Sequence, residues 1–115
     1  MSRVVNIKLG EPYDVYIGRP GHGQAGPFGN PYPVKQTCSR CGSRHISGGS
    51  TLTCFREYLV ERMAREPRFR DAILALRGKT LVCFCAPRGG LTSTHRPWRC
   101  HGQVILAILE ESDGN

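Results

Sequence analysis

Residues Thr80–His101 read TLVCFCAPRGGLTSTHRPWRCH. The opening residues, Thr80–Cys85, form a strand, with Leu81, Cys83 and Cys85 on one face and Val82 and Phe84 on the other. Both faces are apolar, which is the pattern of a central strand covered on both sides. Ala86–Arg99 is then a long basic loop. Cys100 and His101 stand where the apolar run VILAIL (104–109) opens a last helix. Three sulfurs and one imidazole gathered in this way suit tetrahedral zinc, so Cys83, Cys85, Cys100 and His101 are the candidate metal set. Four protein ligands would make the site structural, and three with a water would leave it open for catalysis. The same residues admit a metal-free reading. Cys83 and Cys85 are then buried as small apolar side chains, and His101 faces a pocket from a helix N-terminus, where anions are favoured.

Upstream, Leu52, Phe55, Leu59 and Met63 form one apolar stripe, predicting a helix over Leu52–Arg65 with Ser50 or Thr51 as its N-cap. Pro67 suits the first turn of a second helix that runs to Arg77 and buries Phe69, Ile73 and Leu76. Gly78 ends it, so LRGKTLVCFC reads as helix, stop, strand. Val4–Leu9 and Asp14–Ile17 are two short strands. Gly10-Glu11-Pro12 between them is turn chemistry and predicts a hairpin, with a parallel arrangement left open. The order is strand–strand–helix–helix–strand–helix. It predicts an α/β chain folded as a small single domain over residues 1–115, with a short mixed sheet of three or more strands and three helices, Rossmann-like or α+β. Residues 112–115 are expected to fray.

Gly18–Pro33, GRPGHGQAGPFGNPYP, holds five glycines and four prolines and is neither helix nor strand. It begins a glycine/proline-rich loop over residues 18–49, with Arg19 at its strand end. A loop held on a strand terminus is a common place for a binding site. The pattern GxxxxGK[ST] is absent, so this is not a nucleoside-triphosphate phosphate loop. Within the same segment Cys38-Ser-Arg-Cys41 forms a CxxC knuckle, followed by His45 and Cys54. Cys38, Cys41, His45 and Cys54 make a second possible metal site. Alternatively the knuckle joins Cys83 and Cys85, and Cys54 is merely a buried helix residue.

The formal net charge is +7, from 16 Lys+Arg against 9 Asp+Glu. Most of the basic residues are arginine, whose forked guanidinium suits phosphate and carboxylate. The loop over residues 86–99 carries Arg88, Arg96 and Arg99 around Trp98 with no acidic residue, a pattern suited to phosphate contact and base stacking. A solvated basic surface with Trp98 packed down explains the same residues. No run approaches the roughly 20 apolar residues of a membrane span, and no signal-peptide core is present, so a cytoplasmic location without a membrane partner is expected. There thiols stay reduced, which directs the six cysteines to metal or burial.

The motifs YIGRP, GNPYPV, FREYL, LRGKTLVCFCAP and CHGQVILAIL, in this order over about Val15–Leu109, resemble a family of small domains of unknown function from bacteriophages and bacteria. In that family the recurrent positions correspond to Arg19, Asn30-Pro31, Arg56, Cys83, Cys85, Cys100 and His101. The loop between the CxC and CH motifs is longer here, and the CxxC knuckle is an addition. The resemblance implies a phage or bacterial protein, in the host cytoplasm if phage-encoded, and carries no established activity. Arg19, Asn30, Arg56 and His101 are not a metal set. Two guanidinium forks, an amide and an imidazole suit a phosphate or other anionic ligand.

Three functions compete. The first is a zinc-stabilised basic module binding nucleic acid or a nucleotide. The second is an enzyme acting on a nucleotide or nucleic acid through the Arg19, Asn30, Arg56 and His101 pocket. The third is a phage protein that binds and inhibits a host protein. The HxE…PCxxC deaminase signature and GxSxG are both absent, and acidic residues are too sparse for an ordinary metal-dependent nuclease. Whether the chain is an enzyme stays open.

Overall fold

The computed structural model describes residues 3–18, 28, 31, 37–45, 51–83, 86, 88–95, 98 and 100–113. Strands β1 (Val4–Asn6) and β2 (Val15–Tyr16) precede helices α1 (Leu52–Arg65) and α2 (Pro67–Leu74), strand β3 (Leu81–Cys83) and helix α3 (His101–Asp113).

The sheet order is β1-β3-β2, and both pairings are parallel. Val4 and Val15 flank Leu81, Val5 and Tyr16 flank Val82, and Asn6 pairs with Cys83. The centre of the sheet is therefore β3, and all three of its residues are buried. The only antiparallel character among the described residues at the sheet is an isolated bridge from Val4 to Leu91 on the outer side of β1.

The expected hairpin does not form. β3 lies between β1 and β2, and Asp14 leads β2 in by bonding to Thr80, its N–H to the Thr80 carbonyl and its carboxylate to the Thr80 N–H (both 2.8 Å). The first strand is also shorter than Val4–Leu9. The Asn6 side chain accepts the Lys8 N–H at 2.9 Å and starts a 3-10 turn over Ile7–Leu9. Gly10 closes that turn at φ 70°, a conformation that suits glycine.

α1 has the expected bounds. Thr51 is already helical in backbone and makes no side-chain cap bond, and Ser50 lies outside the described residues. α2 ends at Leu74 rather than Arg77, and tighter turns carry the chain to Gly78 at φ 74°.

Gly102 through Leu109 are all buried, so α3 is enclosed rather than one-faced. It contacts β3, α1 and α2. The core around it includes Ile17, Phe55, Leu59, Ile73, Leu81, Val104 and Ile105, all fully buried.

Candidate metal centre

The knuckle is a tight turn. The Cys38 N–H bonds to the Ser43 carbonyl at 2.8 Å and the Cys38 carbonyl accepts from Gly42 at 3.0 Å. A bridge pairs Thr37 with Arg44, and Gly42 takes φ 76°. This turn aims Cys38 and Cys41 the same way and delivers His45 one residue past the bridge. Cys54 enters from the first turn of α1. The Cys38 and Cys54 sulfurs lie 3.8 Å apart. His45 Nε2 is 3.6 Å from the Cys41 sulfur and 3.6 Å from the Cys54 sulfur. All four donor atoms fall within 4.8 Å of one another, so the cluster can hold a metal ion. Cys38, His45 and Cys54 are buried and Cys41 is exposed.

The electrostatics of the sulfurs are unequal. Burial opposes ionisation of Cys38, but N–H groups of Cys41 and Arg40 and the side chains of His45 and Cys41 outweigh it, bringing the thiol down to about 6. Burial, then the hydrogen-bonded Cys41 and Cys38 sulfurs and their charge, pushes Cys54 up to about 12. Arg40 ties the knuckle to α1. Its N–H reaches the Cys38 sulfur at 3.4 Å, and its guanidinium donates to Glu61 at 3.1 Å with Glu57 at 4.0 Å. That contact holds the Glu61 carboxyl below its ordinary value. The role of Arg40 was not legible from its place inside CSRC, because its carboxylate partners, Glu57 and Glu61, come from a helix much further along the chain.

A second group forms at the carboxyl end of β3. Cys83, Cys100 and His101 place their donor atoms within 4.8 Å of one another, and this group too can hold a metal ion. Its spacing differs from that of the knuckle. The Cys83 and Cys100 sulfurs are 3.1 Å apart. His101 Nε2 lies 2.7 Å from the Ile17 carbonyl oxygen, and its ring meets Phe55 edge-on at 5.6 Å. Cys85, the fourth member expected here, lies outside the described residues. The shared four-cysteine arrangement is not adopted, since Cys38 and Cys41 partner His45 and Cys54 while Cys83 belongs to the other group.

Of the expected phosphate pocket, Arg19 and Asn30 lie outside the described residues. His101 opens α3, whereas the Arg56 guanidinium is bound by the Glu111 carboxylate near the other end of that helix, at 2.8 and 2.7 Å. Of the expected nucleic-acid contacts, Arg88 is exposed, and Arg96 and Arg99 lie outside the described residues. Trp98 is half-buried against the core and donates its indole N–H to the Ser93 carbonyl at 2.8 Å.

Gln103 was missed as a structural residue. Fully buried, it accepts the Cys100 N–H at 3.1 Å and donates to the Thr92 and His95 carbonyls at 2.9 Å each. The signal was a lone amide in an apolar run, three residues after Cys100, which is the spacing of a capping box.

The chain belongs to the family described as Domain of unknown function (DUF4326), whose model matches residues 5–111. No curated protein gives a significant match, and neither does any solved structure.

Proposed function

We propose that this DUF4326 domain is a zinc-stapled nucleic-acid-binding module, with structural zinc on Cys38, Cys41, His45 and Cys54 and a basic rim that engages phosphates. The observation that carries the zinc assignment is the set of donor spacings. Tetrahedral angles, zinc–sulfur bonds of about 2.3 Å and zinc–nitrogen bonds of about 2.0–2.1 Å separate two sulfurs by about 3.8 Å and a sulfur from a nitrogen by about 3.6 Å. The knuckle has 3.8, 3.6 and 3.6 Å. A Cys3His set completes four-coordination, so zinc here is structural and joins residues 37–45 to α1.

The phosphate reading is supported by where the charges go. Glu11 and Asp14 accept backbone N–H groups, Glu110 meets Ser93, and Glu57, Glu61, Glu66, Asp71 and Glu111 pair with arginines. Each of these eight acidic side chains is thereby committed to a partner. Exposed basic residues meanwhile gather at the amino ends of the strands. Arg3 leads into β1, Lys79 stands just before β3, and Arg88 adjoins Gly89, whose carbonyl accepts from Arg3 at 3.2 Å.

The test is binding to a labelled single strand and duplex across a salt series, beside a zinc count by elemental analysis. Wild type should carry zinc at the knuckle and bind with log affinity falling linearly with log salt. Replacing Arg3, Lys79 and Arg88 by alanine should flatten that slope by about 0.7–0.9 per lost phosphate contact. Affinity indifferent to salt, or to the triple substitution, rejects the nucleic-acid reading, and protein without zinc rejects the staple.

A further inference from the structure

We infer that Cys83 and Cys100 form a redox-linked dithiol, which a hydroperoxide converts into a disulfide stapling the central strand to the start of α3. The inference rests on how differently the two cysteine clusters are spaced. At the knuckle, Cys38 and Cys54 keep the 3.8 Å separation that a shared tetrahedral metal imposes. Cys83 and Cys100 stand at 3.1 Å, shorter than the sulfur–sulfur edge of about 3.8 Å in a zinc tetrahedron. A disulfide needs about 2.05 Å, so bond formation requires a closure of about 1 Å, within reach of small side-chain rotations.

Both sulfurs are held on rigid supports. Cys83 ends the fully buried β3, and Cys100 is fixed immediately before α3 by the Gln103 side chain on its N–H. Both residues are fully buried, so oxidation proceeds through a local opening that admits the small peroxide while the two sulfurs stay paired on their supports. A ring nitrogen of His101 is within 4.8 Å of both sulfurs, and the Ile17 carbonyl fixes that ring.

The chemistry balances without another cofactor. The Cys100 sulfur attacks one peroxide oxygen, giving up its proton as the O–O bond breaks. Cys100 becomes a sulfenic acid, and the departing alkoxide takes the proton that the thiol gave up. The Cys83 sulfur then attacks the Cys100 sulfur and expels hydroxide, which takes the Cys83 proton and leaves as water. Two thiols and one hydroperoxide give one disulfide, one alcohol and one water, with two electrons passing from sulfur to oxygen.

The experiment uses the full zinc-loaded chain. It is exposed to hydrogen peroxide, alkylated under denaturing conditions and digested without reduction for mass spectrometry, with zinc counted before and after. The expected result is a Cys83–Cys100 linked peptide, loss of alkylation at both residues, full recovery on adding dithiothreitol, and knuckle zinc retained. Cys83→Ser and Cys100→Ser should each abolish the link, but the wild-type map decides even if neither variant folds. Recovery of both residues as alkylated thiols overturns the inference. So does a link made to Cys85 instead, or a second metal ion per chain whose release exposes Cys83 and Cys100.

Discussion

The Cys54 sulfur, on the first turn of α1, lies 3.8 Å from that of Cys38, which belongs to a turn sixteen residues earlier. Among the described residues, these side chains, the Arg40 clamp and Tyr58 packed against the two sulfurs draw the knuckle onto the helix at that point. Metal should therefore contribute stability that depends on Cys54. We expect Cys54→Ser to cost about 3 kcal/mol, or about 10 °C of melting temperature, when zinc is present. In excess chelator the same substitution should cost less than about 1 kcal/mol, because only a small buried group changes. Thermal unfolding of both proteins in both media closes this cycle. An equal cost in zinc and chelator would mean that Cys54 acts by packing alone.

Without metal, the knuckle should make folding depend on pH. Cys38 is held at about 6 in the folded chain, below the ordinary thiol value of 9.0. A depressed acid adds stability that is complete above 9.0 and is lost as pH falls through about 6. Cys54, pushed up to about 12, has the opposite sign and begins to cost stability only above 9.0. Between pH 6 and 9 the chelated protein should thus become steadily more stable to urea through Cys38. Urea midpoints at several pH values, with Cys38→Ser as the comparison, measure this directly. A variant with the same pH slope as wild type would place the dependence elsewhere.

Much of the scaffold was legible. The Leu52, Phe55, Leu59 and Met63 stripe fixed α1 because it is periodic over fourteen residues, and the two apolar faces of Leu81–Cys83 marked a central strand. The pairing of β1 and β2 was not legible. The turn Gly10-Glu11-Pro12 is local, whereas the insertion of β3 between them is decided by a segment more than sixty residues away. The same limit applied at the site. CxxC, His45 and Cys54 announced possible ligands, but sulfur separations of 3.8 and 3.1 Å belong to tertiary packing and have no counterpart in spacing along the chain. Asn6 was a missed local signal, since an asparagine that can bond two residues ahead ends a strand as readily as it starts a turn.

Gly102 gives a packing test in which two effects compete. It lies inside α3, where alanine is favoured over glycine by about 1 kcal/mol. A Cβ there would fall 2.7 Å from Val4 Cγ2 and 2.8 Å from Ile17 Cδ1, and Val4 is held by β3 on one side and Leu91 on the other. Overpacking of this kind costs about 1–3 kcal/mol, so Gly102→Ala should be destabilising overall. A lower urea midpoint with an unchanged m-value would show that the helix meets the sheet as closely as described. A gain in stability would show that Val4 and Ile17 can yield.

Gln103 should govern the basic loop more than any charged residue does. Its amide serves three backbone groups, the Cys100 N–H and the Thr92 and His95 carbonyls, and it does so fully buried. Gln103→Leu fills similar space but leaves these groups to find water or go unpaired, at about 1–3 kcal/mol for each that stays buried. Gln103→Glu keeps an acceptor for Cys100 but sets carboxylate oxygens against two carbonyls, so it should be no better than leucine. Two further anchors near Gln103, Ser93 on Glu110 and Trp98 on Ser93, meet the loop at one residue. Amide exchange should therefore quicken at Cys100 and His95, whose N–H groups belong to the region that Gln103 fixes. It should change much less at Leu91, whose N–H bonds to the Val4 carbonyl at 2.8 Å independently of α3. Uniform quickening at all three amides would show instead that Gln103 supports the whole fold and not this loop in particular.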